Sequence, residues 1–281
     1  MINFSKKDFL QIILSVFFIS GGTAFYLHVW KPIQVNKQKH IMITSILQTG
    51  PQKEALPSLY LTELIGLSAD KPTSVYNFSE KVALDRLRSS PVIKEGKISN
   101  NGNGSIYIDY VLRKPLAWLA EFDNCAVDEE GYVFPVSPFF KPKKLPELYL
   151  GLGPFALLPD DLSKPYVNWC YSIKSKPFLL ALDILKKVNQ FYPSCYESLK
   201  IDVSKAFADS YGKREIVLVF KKGENNFKEI YIRLSSKHYE KELEKYFLLK
   251  QHQSEDESAD SGKQIEIIDL RLDNLGLIRH S

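Results

Sequence analysis

Between Asp8 and Lys31 the chain runs FLQIILSVFFISGGTAFYLHVW, with His28 as the one side chain there with potential charge. At about 1.5 Å per helical residue this stretch spans about 33 Å, against a hydrocarbon core of about 30 Å. Residues 9–30 are therefore expected to form a transmembrane helix behind a cytoplasmic tail at 1–8. Tyr26 and Trp30 suit an interfacial aromatic belt and Lys6 and Lys7 a cytoplasmic start, although Lys31, Lys37 and Lys39 leave the charge rule ambiguous. A cleaved signal peptide is the competing reading, with Gly22-Thr-Ala24 as the small-residue site. Both place residues 31–281 outside the cytoplasm.

Beyond the apolar run the periodicity shortens. IMITSILQTG alternates loosely and ends on Gly50-Pro51, which predicts a strand and a turn. Leu59, Tyr60, Leu64 and Ile65 share a helical face that stops at Gly66, and Asn77 and Ser79 offer caps for a second helix carrying Val82, Ala83, Leu84 and Leu87 before Pro91. VIKEGKIS and SIYIDYVLR then flank the turn-forming Asn-Gly run at 100–104, with Ile106, Ile108, Tyr110 and Leu112 on one face of the second strand. The order β-α-α-β-β over residues 36–113 predicts a small α+β unit with its helices on one sheet face.

Residues 114–281 predict a larger mixed or antiparallel β-sheet domain with packed helices. A helix from Pro177 carries Phe178, Ala181, Leu182, Leu185 and Val188 on one stripe. REIVLVFKK, FKEIYIRL and QIEIIDLR are strands, and a helix from about Ser236 to Leu249 buries Tyr239, Leu243, Tyr246 and Phe247. The polar, acidic stretch at 251–264 is too poor in apolar residues to order itself and is expected to be a flexible loop. The fold class is thus α+β behind an N-terminal transmembrane helix.

Composition narrows the function. A net charge of +4 with basic and acidic residues interspersed leaves no nucleic-acid footprint. Cys125, Cys170 and Cys195 allow one disulfide at most and no CxxC metal site, and His28, His40, His238, His252 and His280 fall in no ligand motif. Asp128-Glu129-Glu130 before Gly131 reads as a solvated turn, Gly151-Leu-Gly153 is too short for a dinucleotide fingerprint, and Lys141, Lys143 and Lys144 read as a solvated loop. With no cluster of nucleophile, base and acid, the expectation is a non-enzymatic protein without cofactor, metal or small-molecule substrate.

Several motifs carry a resemblance. Pro91-Val92 opens a strand, Lys114-Pro-Leu-Ala-Trp118 forms a basic-Pro-aliphatic-Ala-aromatic junction, Asp128-Glu-Glu-Gly131-Tyr-Val-Phe134 forms a turn, Leu145-Pro146 follows, and Asp269-Leu270-Arg271 lies near the end. Together they resemble the FtsQ/DivIB family of bacterial cell-division proteins, in which a POTRA domain leads into a β domain. The resemblance implies a single-pass scaffold of the cell inner membrane, its C-terminal part periplasmic, joining early and late division proteins. It implies docking of an FtsB segment, paired with FtsL, by β-augmentation along Ile265 to Ile278. Ile268, Leu270 and Leu272 would line one face, Asp269 and Arg271 the other, with Leu277 and Ile278 completing the site; the residues alone equally allow Asp269 and Arg271, at alternate positions of one strand face, to form a surface ion pair of little energetic consequence. Members of the family carry aromatic residues where this chain has Leu272 and His280, so the anchor here is expected to be aliphatic. The alternative is a POTRA-type chaperone or transport module for outer-membrane polypeptides, against which the single POTRA-like unit and the lack of a β-barrel sequence weigh.

Overall fold

The computed structural model describes residues 6–50, 54–153, 172–222, 228–253, 265–272 and 276–280. It divides into two compact units, Met1–Ser89 with Ile93–Val111, and Ser90–Val92 with Leu112–Ser281.

The first unit opens with helix α1 (Lys6–Phe25), a π-helical segment (Tyr26–Trp30) and helix α2 (Lys31–His40). No helix among the described residues is long and apolar enough to cross a membrane. This corrects the expected transmembrane helix at 9–30 and, with it, the expected single-pass inner-membrane placement. The α-helical stretch begins on Lys6, Lys7 and Asp8, is diluted by Ser15, Ser20, Gly21, Gly22 and Thr23, and yields to π geometry at Tyr26. α2, KPIQVNKQKH, then continues in polar residues. A count of apolar letters from Phe9 to Trp30 passes over the change from α to π geometry at Tyr26.

Strand β1 (Ser45–Thr49), helix α3 (Ser58–Leu64), helix α4 (Glu80–Arg88), strand β2 (Ile93–Asn100) and strand β3 (Ser105–Leu112) follow. The sheet order is β1-β3-β2, with β1 parallel to β3. Ser79 caps α4 through its hydroxyl, which accepts the Val82 N–H at 3.4 Å. α4 turns Ala83 and Leu87 inward, while Val82 is exposed. β3 alternates as its sequence demands, with Ile106, Ile108, Tyr110 and Leu112 buried. The helix lies close to the sheet because β2 carries Gly96: a Cβ there would stand 2.6 Å from Leu87 Cδ2. The buried Tyr110 hydroxyl accepts the Leu56 N–H at 2.8 Å and donates to Gln48 Oε1 at 3.1 Å, which ties the connection after β1 to the sheet.

The second unit contains β4 (Ala117–Leu119), β5 (Cys125–Val127), β6 (Val133–Pro135), β7 (Glu147–Tyr149), α5 (Lys176–Phe191), β8 (Lys200–Asp202), β9 (Ile216–Lys222), β10 (Lys228–Leu234), α6 (Tyr239–Gln253), β11 (Ile265–Asp269) and β12 (Leu277–His280). They form one nine-stranded sheet in the order β12-β11-β10-β9-β8-β7-β4-β5-β6. The pairs β4–β7, β7–β8 and β10–β11 are parallel and the rest antiparallel. Ser175 caps α5, whose Phe178, Ala181, Ile184, Leu185 and Val188 enter the core, and α6 adds Leu243, Tyr246 and Phe247. The stripe on α5 thus runs through Ile184, with Leu182 only partly buried.

The turn at 128–131 differs from its sequence reading. Asp128 is buried, not solvated, and Glu129 and Glu130 alone face outward. A buried carboxylate needs a counter-charge and donors. Arg113 Nη1 supplies the charge at 2.8 Å, and the N–H groups of Glu130 and Tyr132 donate to Asp128 Oδ1 at 3.0 and 2.8 Å. The Arg113 guanidinium also covers the Tyr132 ring at 3.8 Å. Gly131, at φ +82°, completes the turn in a conformation that side-chain-bearing residues rarely adopt. Of the expected flexible loop at 251–264, residues 254–264 lie outside the described residues, as does Cys170.

Candidate functional site: the terminal sheet edge

The two ends of the large sheet are unlike. β6 ends on Pro135, which has no N–H to donate, and its Val133 and Phe134 are buried. β12, at the opposite end, pairs only with β11, in the register Glu266↔His280, Ile267↔Arg279, Ile268↔Ile278 and Asp269↔Leu277. Its outer row of backbone donors and acceptors has no strand beside it among the described residues.

This geometry redistributes the seven residues expected to form the docking strand. β11 is flanked on both sides, by β10 in parallel and β12 in antiparallel register, so Ile265 to Asp269 is an interior strand and not a free edge. Ile268 and Leu270 belong to the hydrophobic core and cannot also line a recognition face. Leu272, Leu277 and Ile278 remain 51%, 57% and 49% exposed. They form the aliphatic part of the edge region.

Asp269 and Arg271 are joined to each other rather than presented to a partner. Arg271 donates from Nε to Asp269 Oδ1 at 2.9 Å and from Nη2 to Oδ2 at 2.7 Å, the two-pronged geometry that suits guanidinium and carboxylate. Arg233 Nη1 reaches Asp269 Oδ2 at 3.4 Å because the parallel register places Arg233 beside Asp269. Glu215 accepts from Arg233 Nε at 3.0 Å and lies 3.5 Å from Arg271 Nη1. The hydrogen bond from Arg271 holds the Asp269 carboxyl below its ordinary range, with the nearby Arg271 and Arg233 charges acting in the same direction against partial burial. The same hydrogen bond pushes Arg271 upward, so the pair stays charged at any physiological pH. Glu215 and Arg233 are the members that sequence reasoning missed; their alternation within strands was visible, but their meeting depends on which strands are neighbours.

The network anchors the chain where β11 ends. The Leu270 N–H donates to the Arg233 carbonyl at 3.0 Å, extending the pairing by one residue, and the Arg271 clamp follows at once. Across β10, Glu242 of α6 is buried and accepts from both the N–H and the hydroxyl of Ser235 at 2.6 Å, which fixes the end of β10 to the start of the helix. β12 is therefore laid against a strand whose position is set by ion pairs on one face and packed aliphatics on the other. Among the described residues no group of three or more His, Cys, Asp or Glu side chains is placed to hold a metal ion. No protein-family model matches the chain, and no curated protein is significantly similar to it.

Proposed function

We propose that this chain is a non-enzymatic docking scaffold of the bacterial division machinery, related to FtsQ/DivIB, that captures an FtsB/FtsL-like partner by adding a partner strand to β12. The observation that supports this reading best is the one-sided pairing of β12 together with the exposure of Leu272, Leu277 and Ile278. An open edge offers ladder hydrogen bonds, and exposed aliphatics on and beside it offer side-chain specificity. The anchor is β12 and its flank rather than β11. The motifs that resemble the family at 114–118 and 128–134 add independent support.

The test is capture of the FtsB–FtsL pair from the same organism by the full chain, measured by calorimetry. Ile278→Pro removes a backbone N–H and is expected to abolish capture. Because Ile278 also faces Ile268 in the β11–β12 register, proline disturbs internal pairing as well. Leu277→Glu keeps the backbone and charges the exposed face, and is expected to cost about 2–4 kcal/mol of binding if Leu277 is an anchor. Unchanged affinity in a normally folded Leu277→Glu protein would remove β12 as the docking edge.

A further inference from the structure

The small sheet of the first unit has two outermost strands, β1 and β2, and they are guarded differently. β2 carries exposed Lys94, Glu95 and Lys97, and charges of this kind keep an edge strand from pairing with another chain. β1, SILQT, carries none. Its free backbone groups are placed by its neighbours, because successive residues of a strand direct N–H and C=O to opposite sides. The Thr44 N–H donates at 2.9 Å to the Gly104 carbonyl, on the β3 side, and the Ile43 N–H donates at 3.0 Å to the Thr73 carbonyl, on the other. Leu47 and Thr49 have the parity of Ile43 and so face away from β3. The segment at 73–75 reaches only as far as residues 41–43, where the Val75 N–H donates to the Ile41 carbonyl at 2.9 Å. Among the described residues no strand lies along the outer side of Ser45–Thr49.

The side chains along this edge form a pattern of their own. Leu47 stands opposite Tyr107 of β3 on the face away from the helices, and the two are 47% and 37% exposed, with Val111 farther along β3 at 49%. The polar residues on either side of this apolar pair are already satisfied. The Ser45 and Ser105 hydroxyls lie 2.8 Å apart, and Thr49 Oγ1 donates to Asp109 Oδ1 at 3.0 Å. On the helix side, Gln48 Nε2 donates to the Ser58 hydroxyl at 3.2 Å, and the next residue of α3, Leu59, is 70% exposed. The edge thus offers open backbone groups and exposed aliphatics, with no charge that would repel a strand.

We propose that β1 is a self-pairing edge, through which two copies of this chain join their small sheets in antiparallel register about Leu47. A two-fold interface must be complementary to itself, and the strand meets that demand. Leu47 is its central residue, so the two-fold sets Leu47 against Leu47 of the second copy, Ser45 against Thr49 and Ile46 against Gln48. Because Leu47 faces outward, it falls at a hydrogen-bonded position of the new ladder and exchanges both its N–H and its C=O with its own copy. The apolar pair then becomes an unbroken strip across the junction, from Tyr107 through both Leu47 side chains to the second Tyr107. No like charges are brought opposite one another, which a two-fold would otherwise impose on any charged residue at the centre. The self-match about Leu47 favours a second copy over a peptide of unrelated sequence, which would gain only the backbone row. This pairing is separate from the docking proposed for β12 and does not depend on it.

The experiment reads the register directly in the full chain. Ser45→Cys and Thr49→Cys proteins are oxidised with copper phenanthroline, separately and mixed, and the disulfide-linked peptides are quantified by mass spectrometry. Residues paired through hydrogen bonds in an antiparallel ladder have Cα atoms about 5.5 Å apart, within disulfide reach, whereas each position is too far from its own copy. The mixture is therefore expected to link position 45 to position 49 at least about tenfold more than either position links to itself. Adding Leu47→Lys to both proteins sets two ammonium groups against each other across the axis and is expected to abolish the linkage; Leu47 is half-exposed, so the melting curve should not move. In the unaltered chain, amide exchange at Leu47 and Thr49 is expected to slow as protein concentration rises, with no such change at Lys94 to Lys97 on β2. The proposal is overturned if the mixture links 45 to 49 no more than the same-position background, or if the linkage survives Leu47→Lys. It is equally overturned if exchange at Leu47 is independent of concentration, including the case in which protection grows at β12 instead.

Discussion

Replacing Gly96 by alanine tests the packing of the first unit most directly, because the structure states what the new methyl would meet. A Cβ at Gly96 lies 2.6 Å from Leu87 Cδ2 and 3.3 Å from Leu87 Cγ, and Leu87 is fully buried. Such overpacking costs about 1–3 kcal/mol, reduced by the few tenths that alanine gains over glycine in the unfolded chain. Leu87→Ala alone opens a cavity and costs about 2–5 kcal/mol. In the double variant the overlap is gone and the methyl introduced by Gly96→Ala occupies part of the void, a group worth about 0.8 kcal/mol of burial. The pair should therefore be less destabilised than the sum of the singles by about 2–4 kcal/mol, the overlap relieved plus the methyl buried. With two units in one chain, a single global transition is not assured, so amide hydrogen exchange of β2 and β3 is the suitable assay alongside urea unfolding. Additivity to within about 0.4 kcal/mol would mean that Gly96 and Leu87 are not in contact, and that the helix does not lie on the sheet as described.

Asp269 carries a pH signature. Its carboxyl is held below its unfolded value by Arg271, so the stabilisation is fully present above about pH 4 and is lost as pH falls through the lowered folded value. Asp269→Asn should remove that part of the acid sensitivity, seen as a smaller difference between urea midpoints at about pH 6 and about pH 3, on either side of the ordinary carboxylate range; an unchanged difference would mean that the pair contributes nothing. Glu121 Oε1 accepts three consecutive N–H groups, from Leu150, Gly151 and Leu152, at 2.6, 2.8 and 3.2 Å. Glu121→Ala should cost about 1–3 kcal/mol and raise hydrogen exchange at those three amides, whereas wild-type protection would show that the segment is held by other contacts.

Local signals in the sequence were legible wherever a residue's fate depends on its near neighbours. The Ser79 cap, the alternation along 106–112 and the stripe from Phe178 to Val188 follow from spacing alone, and the structure carries each of them. Long-range placement was not legible in the same way. Nothing in IEIIDLR says that a strand from the other side of α6 will lie parallel to it, or that Leu277–His280 will return to cover its far edge, so a β-branched run near the end of the chain reads as an edge. Asp128 escapes its sequence reading for a related reason. An acid before a glycine is normally solvated, and only the arrival of Arg113 from the end of β3 makes burial tolerable. The apolar count at 9–30 failed through averaging, since composition ignores where the helix changes its hydrogen bonding at Tyr26.

The size of β12 limits what an edge partner can gain there. Leu272, Leu277 and Ile278 are each about half exposed, so covering all three contributes about 1 kcal/mol apiece. A strand of four residues directs about two N–H and two C=O groups outward, for a further 2–6 kcal/mol at most if each net bond contributes about 0.5–1.5. Association itself costs about 4–15 kcal/mol, so a peptide that only mirrors Leu277–His280 would bind no better than about millimolar. Useful affinity therefore requires a partner that continues past the strand and buries surface elsewhere on the second unit. Titrating nested fragments of the FtsB-like chain tests this: affinity should rise steeply only when residues flanking the paired segment are included. A hexapeptide that matches the full-length partner would show that β12 is a complete site and that the sum of these contributions omits a contact.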